Sequence, residues 1–233
     1  MPELFNAPFV DSVLPQRRVL RGDLLDFTAD PGFAAACESV GWRWRPDHVL
    51  LIEGARIAAV QPASQSLPEG WADVTQEDHR GRLILPGFID THVHGPQLDV
   101  IASFGAELLG WLNTYTFPAE RCYADPQVAD EGAERFLKAL WAHGTTSAVV
   151  FPTVHKVSAH ALFERAAAHQ MRLITGKVLM NRNAPDGLMD DVDQAERDCI
   201  DLIDRWQRVT YLPMYYDNEA INAAAVARLV LEP

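Results

Sequence analysis

Three features are scarce in this sequence: cysteine, basic side chains and long apolar runs. The three cysteines, Cys37, Cys122 and Cys199, lie far apart, so neither a disulfide framework nor a cysteine-type zinc motif is expected. Acidic residues outnumber basic ones by 32 to 20, and the net charge of −12 disfavours nucleic acid as a partner because it repels phosphates. No run approaches the ~20 apolar residues that cross a bilayer, and the N-terminus lacks the apolar centre of a secretory signal. We therefore expect a cytoplasmic protein with no membrane partner.

Two kinds of pattern divide the 233 residues. Residues 1–82 contain short apolar runs and turns, including a hairpin signal at Glu53 and Gly54, and predict a small N-terminal β subdomain. The stretch 67–80 is rich in charge and turn-forming residues and is expected to be a loop. In residues 83–233 apolar strands alternate with amphipathic helices, an order typical of an α/β fold with a parallel sheet.

The second region also carries signals for where its elements begin and end. Apolar spacing predicts a helix over 105–116 and a longer helix that begins after Asp125 as N-cap and ends at Gly144. The β-branched run 145–154 predicts a buried strand, and Ser158 is expected to cap the helix that follows. An apolar run from Arg172 to Met180 predicts the next strand.

The segment PGFIDTHVH, residues 86–94, carries the most specific chemical signal. Side chains alternate along a strand, so Asp90, His92 and His94 are expected on one face. Two imidazoles one pleat apart can reach one cation, and neutral imidazole suits zinc and similar metals. Asp90 can support such a site as a hydrogen-bond acceptor. The alternative is a polar strand end without a metal, but the carboxyl end of a parallel strand is where α/β barrels gather active-site residues.

PGFIDTHVH resembles the first barrel strand of the amidohydrolase superfamily, and other blocks narrow the resemblance to guanine deaminases. The similar blocks follow in the same order: GPQ (95–97), LLGWLNTYTFPAE (108–120), HGTTSAVVFPTVH (143–155) and GKVLMNRNAP (176–185). The resemblance implies an α/β fold, a partial amidohydrolase-type (β/α)8 barrel with a small N-terminal β-sandwich subdomain. It also implies one divalent metal ion, usually zinc, the purine base guanine as substrate, and an assembly that is often a homodimer.

The resemblance also assigns roles to individual residues. His92 and His94 match the first two metal ligands, Gln97 matches a residue that contacts the purine, and Trp111 resembles a pocket-wall residue. The implied reaction is hydrolytic deamination of guanine to xanthine and ammonia by a metal-activated water, with a carboxylate that the sequence does not identify as the proton carrier. The amide of Gln97 can donate and accept, which suits a purine edge; the alternative is a solvated loop residue.

The sequence departs from the family pattern after Arg208. Full members supply further histidines, an aspartate and a Pro-Arg-Phe block, whereas this chain has no histidine after His169. We interpret it as a C-terminally truncated or aberrant member with an incomplete barrel, in which two histidines alone would hold a metal weakly. The alanine-rich stretch 218–231 predicts a helix of its own.

Two other functions remain open at this point. The chain could be another amidohydrolase deaminase, of the 8-oxoguanine, cytosine or triazine type, or an inactive truncated paralogue that acts as a binding partner. His155 either faces the same pocket or is a polar strand end, while His160 and His169 are expected to face solvent.

Two further charged features of the sequence are interpreted as structural. The acidic cluster Asp190, Asp191 and Asp193 is explained by the dipole of the helix that follows it. Lys177 is not expected to serve as a metal-bridging ligand.

Overall fold

The computed structural model describes residues 17–30, 41–54, 56–105, 107–206, 214–215 and 228–229. The chain divides into two compact units on either side of Gly87, and each has its own core. The strands of the first unit are β1 (Arg17–Phe27), β2 (Trp42–Glu53), β3 (Arg56–Pro62) and β4 (Gln76–Ile84). Among the described residues, no helix combines the length and apolarity needed to traverse a bilayer.

The first unit contains one four-stranded sheet in the order β3-β2-β1-β4. Strand β2 pairs antiparallel with β1 and β3, whereas β4 runs parallel to β1. The predicted hairpin is confirmed, because β2 ends at Glu53 and Gly54 adopts a φ of 58° before β3. The expected loop over 67–80 is wrong in its last part, since Gln76 begins β4 and backbone pairing with β1 outweighs its charged composition. The described residues supply this single sheet, and the predicted sandwich stays a prediction.

The second unit alternates strands and helices. Its elements are β5 (Phe88–His94), a 3-10 helix (Gly95–Val100), α1 (Leu108–Trp111), a π-helical turn (Leu112–Thr116), α2 (Phe117–Cys122), α3 (Pro126–Ala142), β6 (Thr145–Phe151), α4 (Lys156–Ala168), β7 (Arg172–Thr175), α5 (Val192–Trp206), and the two-residue strands β8 (Met214–Tyr215) and β9 (Arg228–Leu229). The predicted helix over 218–231 lies outside the described residues, apart from β9, which pairs antiparallel with β8.

Strands β5, β6 and β7 form a parallel sheet in that order, as the alternating pattern predicted. Helices α3 and α4 cover it through a core that includes Leu137 and Leu162 from the helices and Val150 and Leu173 from the strands. Because the strands are parallel, their carboxyl ends lie at one edge of the sheet, which we call the carboxyl edge. The closed eight-stranded barrel stays a prediction.

Local sequence determines the ends of α3 as expected. Asp125 is the N-cap, and its side chain accepts hydrogen bonds from the backbone N–H groups of Gln127 and Val128 at 2.8 and 3.4 Å. Gly144 adopts a φ of 82° directly after the helix, a conformation that favours glycine.

Other predicted boundaries need correction. Helix α4 begins at Lys156, with His155 at its N-cap position, and Ser158 is buried inside the first turn. The predicted helix over 105–116 begins only at Leu108 and widens into the π-helical turn before α2. Strand β7 ends at Thr175 because the chain beyond it folds into a loop held by side-chain contacts.

Candidate functional site

His92 and His94 lie near the carboxyl end of β5, on the same side of the strand. Their ring centroids are 5.2 Å apart with the planes inclined by 70°, an edge-on arrangement. Both rings also contact Phe151 at the end of β6, at centroid distances of 4.6 Å from His92 and 5.2 Å from His94. The parallel pairing of β5 with β6 therefore gathers two imidazoles and one phenyl ring at the carboxyl edge.

The two imidazoles differ in their surroundings. His92 is exposed, whereas His94 is half-buried. Burial lowers the pKa of His94, and the neighbouring His92 lowers it further. Both effects favour the neutral form of the His94 ring, which has a nitrogen lone pair available to a cation.

Asp90 stabilises the end of the strand. Its Oδ1 accepts a hydrogen bond from the backbone N–H of His92 at 3.0 Å. The contact is to the main chain that carries the first imidazole, so Asp90 acts on the position of His92 through the backbone.

This pair of side chains fits part of a divalent metal site. Two adjacent imidazoles are the donor type that zinc prefers. Within the described ranges, no group of three or more histidine, cysteine, aspartate or glutamate side chains converges on one point. His92 and His94 would therefore be two ligands of a larger set.

Gln97 lies on the 3-10 helix directly after His94 and contacts a residue that the sequence did not single out. Its Nε2 donates a hydrogen bond to Oε1 of Glu120 at 3.1 Å. Glu120 belongs to α2 and is only 7% exposed, so burial raises the pKa of its carboxyl, partly offset by the hydrogen bond from Gln97. The available sequence signal was an acidic residue directly after the mostly apolar run TFPA.

Trp111 holds the chain that precedes α1. Its indole Nε1 donates to the carbonyl oxygen of Ser103 at 3.1 Å. A methyl group at Gly105 would lie 2.4 Å from Cβ of Trp111, so glycine allows this close approach. The pocket-wall role assigned to Trp111 stays a prediction, and its indole N–H already donates to Ser103.

Lys177 and His155 follow β7 and β6. Lys177 is 1% exposed, and its ammonium pairs with Asp190 at 2.5 Å and donates to the carbonyl oxygen of Val178 at 3.2 Å. The amine is engaged in these two contacts, and the expectation that it is not a bridging ligand stays a prediction. His155 is half-buried, and burial and then Lys177 lower its pKa; its Nε2 is buried without a hydrogen-bond partner among the described residues.

The structure corrects the predictions for two other histidines. His160 was expected to face solvent, but its Nδ1 accepts a hydrogen bond from the indole of Trp206 at 3.1 Å. His169 lies 2.7 Å from a carboxylate oxygen of Glu134, with its side chain 12% exposed. Helix packing creates these contacts, which span 46 and 35 residues of chain.

The acidic cluster divides into two roles. Asp190 forms a buried ion pair with Lys177 and accepts a hydrogen bond from the backbone N–H of Met180 at 2.9 Å, so its interpretation as a helix-dipole residue is wrong. Asp191 does act at the start of α5, where its Oδ1 accepts from the backbone N–H of Gln194 at 2.9 Å.

Comparisons with known proteins point to one group. The guanine deaminase of Escherichia coli (strain K12) is 39% identical over 194 residues, which cover 82% of this chain and 43% of that protein. A guanine deaminase structure from Bradyrhizobium japonicum matches with a TM-score of 0.72 and 34% identity, over 82% of this chain and 41% of that one. A guanine deaminase from C. acetobutylicum with guanine bound in its active site matches with a TM-score of 0.69 and 27% identity, over 83% of this chain and 44% of that one.

This chain thus spans less than half the length of the relatives that it matches. The solved structures share its α/β architecture over most of the chain, which supports an amidohydrolase-type fold that covers part of the larger homologue. The model of the family described as "Amidohydrolase family" matches residues 83–223, more than half of the sequence. The chain therefore belongs to the amidohydrolase family and is homologous to guanine deaminases.

Proposed function

We propose that this chain contributes to the hydrolytic deamination of guanine to xanthine and ammonia, with its reacting centre at the carboxyl edge of β5, β6 and β7. The observation that carries the proposal is the pair of imidazoles of His92 and His94, 5.2 Å apart at that edge. The guanine deaminases among its relatives supply the substrate class.

In this proposal His92 and His94 hold one divalent cation, zinc being the ion that best suits imidazole. When bound, such a cation lowers the pKa of water so that hydroxide is available near neutral pH. Burial favours the neutral, ligating form of His94 by lowering its pKa, and Asp90 accepts a hydrogen bond from the backbone N–H of His92. Gln97 hydrogen-bonds an edge of the base, and Trp111 forms part of the pocket wall. The net change replaces the C2 amino group of guanine with an oxygen from water and releases ammonia.

Metal content of the purified full chain is the first test. We expect bound zinc, measured by inductively coupled plasma mass spectrometry after equilibrium dialysis against zinc-containing buffer, to fall at least tenfold in the H92Q/H94Q variant, because glutamine lacks the imidazole nitrogens. The control is H48Q, which removes a histidine from β2 whose Nδ1 contacts only the nearby carbonyl oxygen of Pro46 among the described residues. Equal zinc content in H92Q/H94Q and wild type would refute the metal assignment.

Xanthine formation from guanine, followed by liquid chromatography, is the second test. We expect turnover by wild type and H48Q and none by H92Q/H94Q, since the variant cannot hold the activating cation. A parallel panel of 8-oxoguanine, cytosine and an aminotriazine separates guanine from the other deaminase substrates. Turnover of one of these in place of guanine, or zinc binding without deamination of any of them, would contradict the proposed reaction.

A further inference from the structure

The contact between Gln97 and Glu120 joins the element that follows the two histidines to α2. Gln97 is half-buried, and Glu120 is 7% exposed, so the carboxylate has little access to water. The amide nitrogen donates to this carboxylate at 3.1 Å. A buried carboxylate needs such donors, because taking it from water without a hydrogen bond is costly.

This contact determines which way the Gln97 amide faces. In the structure the NH2 end of the amide donates to Oε1 of Glu120, so the carbonyl end points away from that carboxyl. The carbonyl oxygen Oε1 of Gln97 then lies on the opposite side of the amide from Glu120. Across the described part of the chain, no group donates a hydrogen bond to that oxygen, so it is available as an acceptor.

We propose that Glu120 is a positioning residue that fixes Gln97 with its carbonyl towards the purine, so that position 97 accepts a hydrogen bond from an N–H of the base. The proposal rests on the proposed function, because it assumes that Gln97 meets a purine. Glu120 itself does not touch the base. The pair would favour bases that present a donor at the contacted position over bases that present an acceptor there.

The orientation of Gln97 can be measured on the full chain without any purine. In ¹⁵N-labelled protein at pH 8, the side-chain NH2 signals of Gln97 are identified by their loss in Q97M. We expect E120Q to shift these signals, because the charged acceptor of the hydrogen bond has gone. The matched control is E131Q, which makes the same chemical change in an exposed pair where Gln127 donates to Glu131 at 2.9 Å, and which should shift only the Gln127 signals. Unchanged Gln97 signals in E120Q would overturn the proposal.

Base selectivity measures the consequence. Three bases each lack one hydrogen-bond donor of guanine: 1-methylguanine lacks the N1–H, hypoxanthine the 2-amino group and 9-methylguanine the N9–H. We expect wild type to bind guanine about five- to tenfold more tightly than the one base that lacks the donor contacted by Gln97. Titration calorimetry on protein freed of metal with a chelator, so that guanine is not turned over, should show this ratio reduced to near one in E120Q and unchanged in E131Q. In the Q97M background E120Q should have no further effect on the ratio, since Glu120 acts through Gln97. An equal loss of selectivity in both backgrounds would overturn the positioning role.

The two readouts separate this proposal from the proposed function. If wild type binds no guanine, the proposed function fails, while the purine-free spectra still decide whether Glu120 fixes Gln97. Folding of each variant is checked by circular dichroism. If E120Q does not fold, E120D keeps the charge but shortens its reach by one methylene, and the same changes in spectra and selectivity are expected from it.

Discussion

Lys177 is a charged side chain in the interior, and its ion-pair partner determines how much free energy its burial costs. With 1% of its surface exposed, its ammonium is balanced by Asp190 and by the carbonyl oxygen of Val178. Asp190 also accepts from the backbone N–H of Met180, so the ion pair ties the start of the loop after β7 to its end. Removing one partner leaves an uncompensated charge in a poorly hydrated site.

We expect K177M to lower the free energy of unfolding by about 3 to 5 kcal/mol, because it leaves the Asp190 carboxylate buried without its cation. Urea denaturation measured by circular dichroism checks this value. The matched control is K138M, which removes a partly exposed lysine 3.1 Å from Glu134 on α3 and should cost about 0.5 kcal/mol or less. Similar decreases in the free energy of unfolding in the two variants would show that the buried pair stabilises the fold no more than the partly exposed one.

Residues such as Lys177 and Glu120 also mark the limit of sequence-based prediction. The alternation of side chains along β5 was enough to predict that His92 and His94 share a face. The partner of Glu120 lies 23 residues away and the partner of Lys177 lies 13 residues away, so neither contact follows from local spacing. These contacts exist only once the helices and loops have packed.

At the scale of elements, α3 and α4 are joined by charged side chains as well as by their apolar core. Arg165 of α4 donates to Asp130 of α3, and His169 lies against Glu134. The hydrogen bond from Arg165 lowers the pKa of Asp130, against the opposing effect of burial. Burial acts to raise the pKa of Glu134, but hydrogen bonds from His169 and Lys138 bring it below its ordinary value.

This network predicts a dependence of stability on pH. Both carboxyl pKa values are lowered by folding from ordinary values of 3.8 for Asp130 and 4.5 for Glu134, so their contribution is full above those values and is lost as the pH falls through the lowered ones. We expect D130N/E134Q to be about 1 kcal/mol less stable than wild type at pH 7, since partly exposed pairs are screened. The difference should shrink towards pH 3, as measured by urea denaturation.

The control for this pH series is E131Q, which removes an exposed carboxylate from the same helix. Its stability difference from wild type should stay near zero at every pH. A D130N/E134Q deficit that grows as the pH falls would contradict the sign derived from the lowered pKa values.

Elements with strong local signals were predicted best. Helix α3 begins after its Asp125 cap and ends before Gly144, as its capping residues indicated. Strand β4 was missed because its charged residues resemble a loop, while its pairing partner β1 lies far away in sequence. The π-helical turn before α2 was not foreseen either, because a widened turn has no distinctive residue pattern.

On the scale of the whole molecule, the two compact units predict a divided response to zinc. If His92 and His94 bind a cation as proposed, it would stabilise the unit that contains them, because a ligand of the native state shifts opening equilibria by mass action. We expect hydrogen–deuterium exchange with mass spectrometry to show slower exchange with zinc in peptides covering 88–94 and 145–155. Peptides from β1 to β3 should be unaffected.

The H92Q/H94Q variant is the control for this measurement and should show no zinc-dependent protection in either unit. Protection spread equally over β1 to β3 would argue that zinc binds elsewhere. The sequence alone predicted a division of the chain near residue 82. Short apolar runs and turns give way there to alternating strand and helix patterns, and such a change in hydrophobic period can be seen in a single sequence. Closure of a barrel depends on pairing between its first and last strands, and the parallel sheet of β5, β6 and β7 does not include such a pair.

Phe151 supplies no ligand atom, yet it bears on how readily the two imidazoles could take up a cation. Its ring restricts the side-chain rotations of His92 and His94 through contacts at 4.6 and 5.2 Å. Rotamer freedom already removed by packing is not lost again on ligation, so less conformational entropy opposes binding. The affinity of the proposed metal site would therefore depend in part on a hydrocarbon side chain on the neighbouring strand.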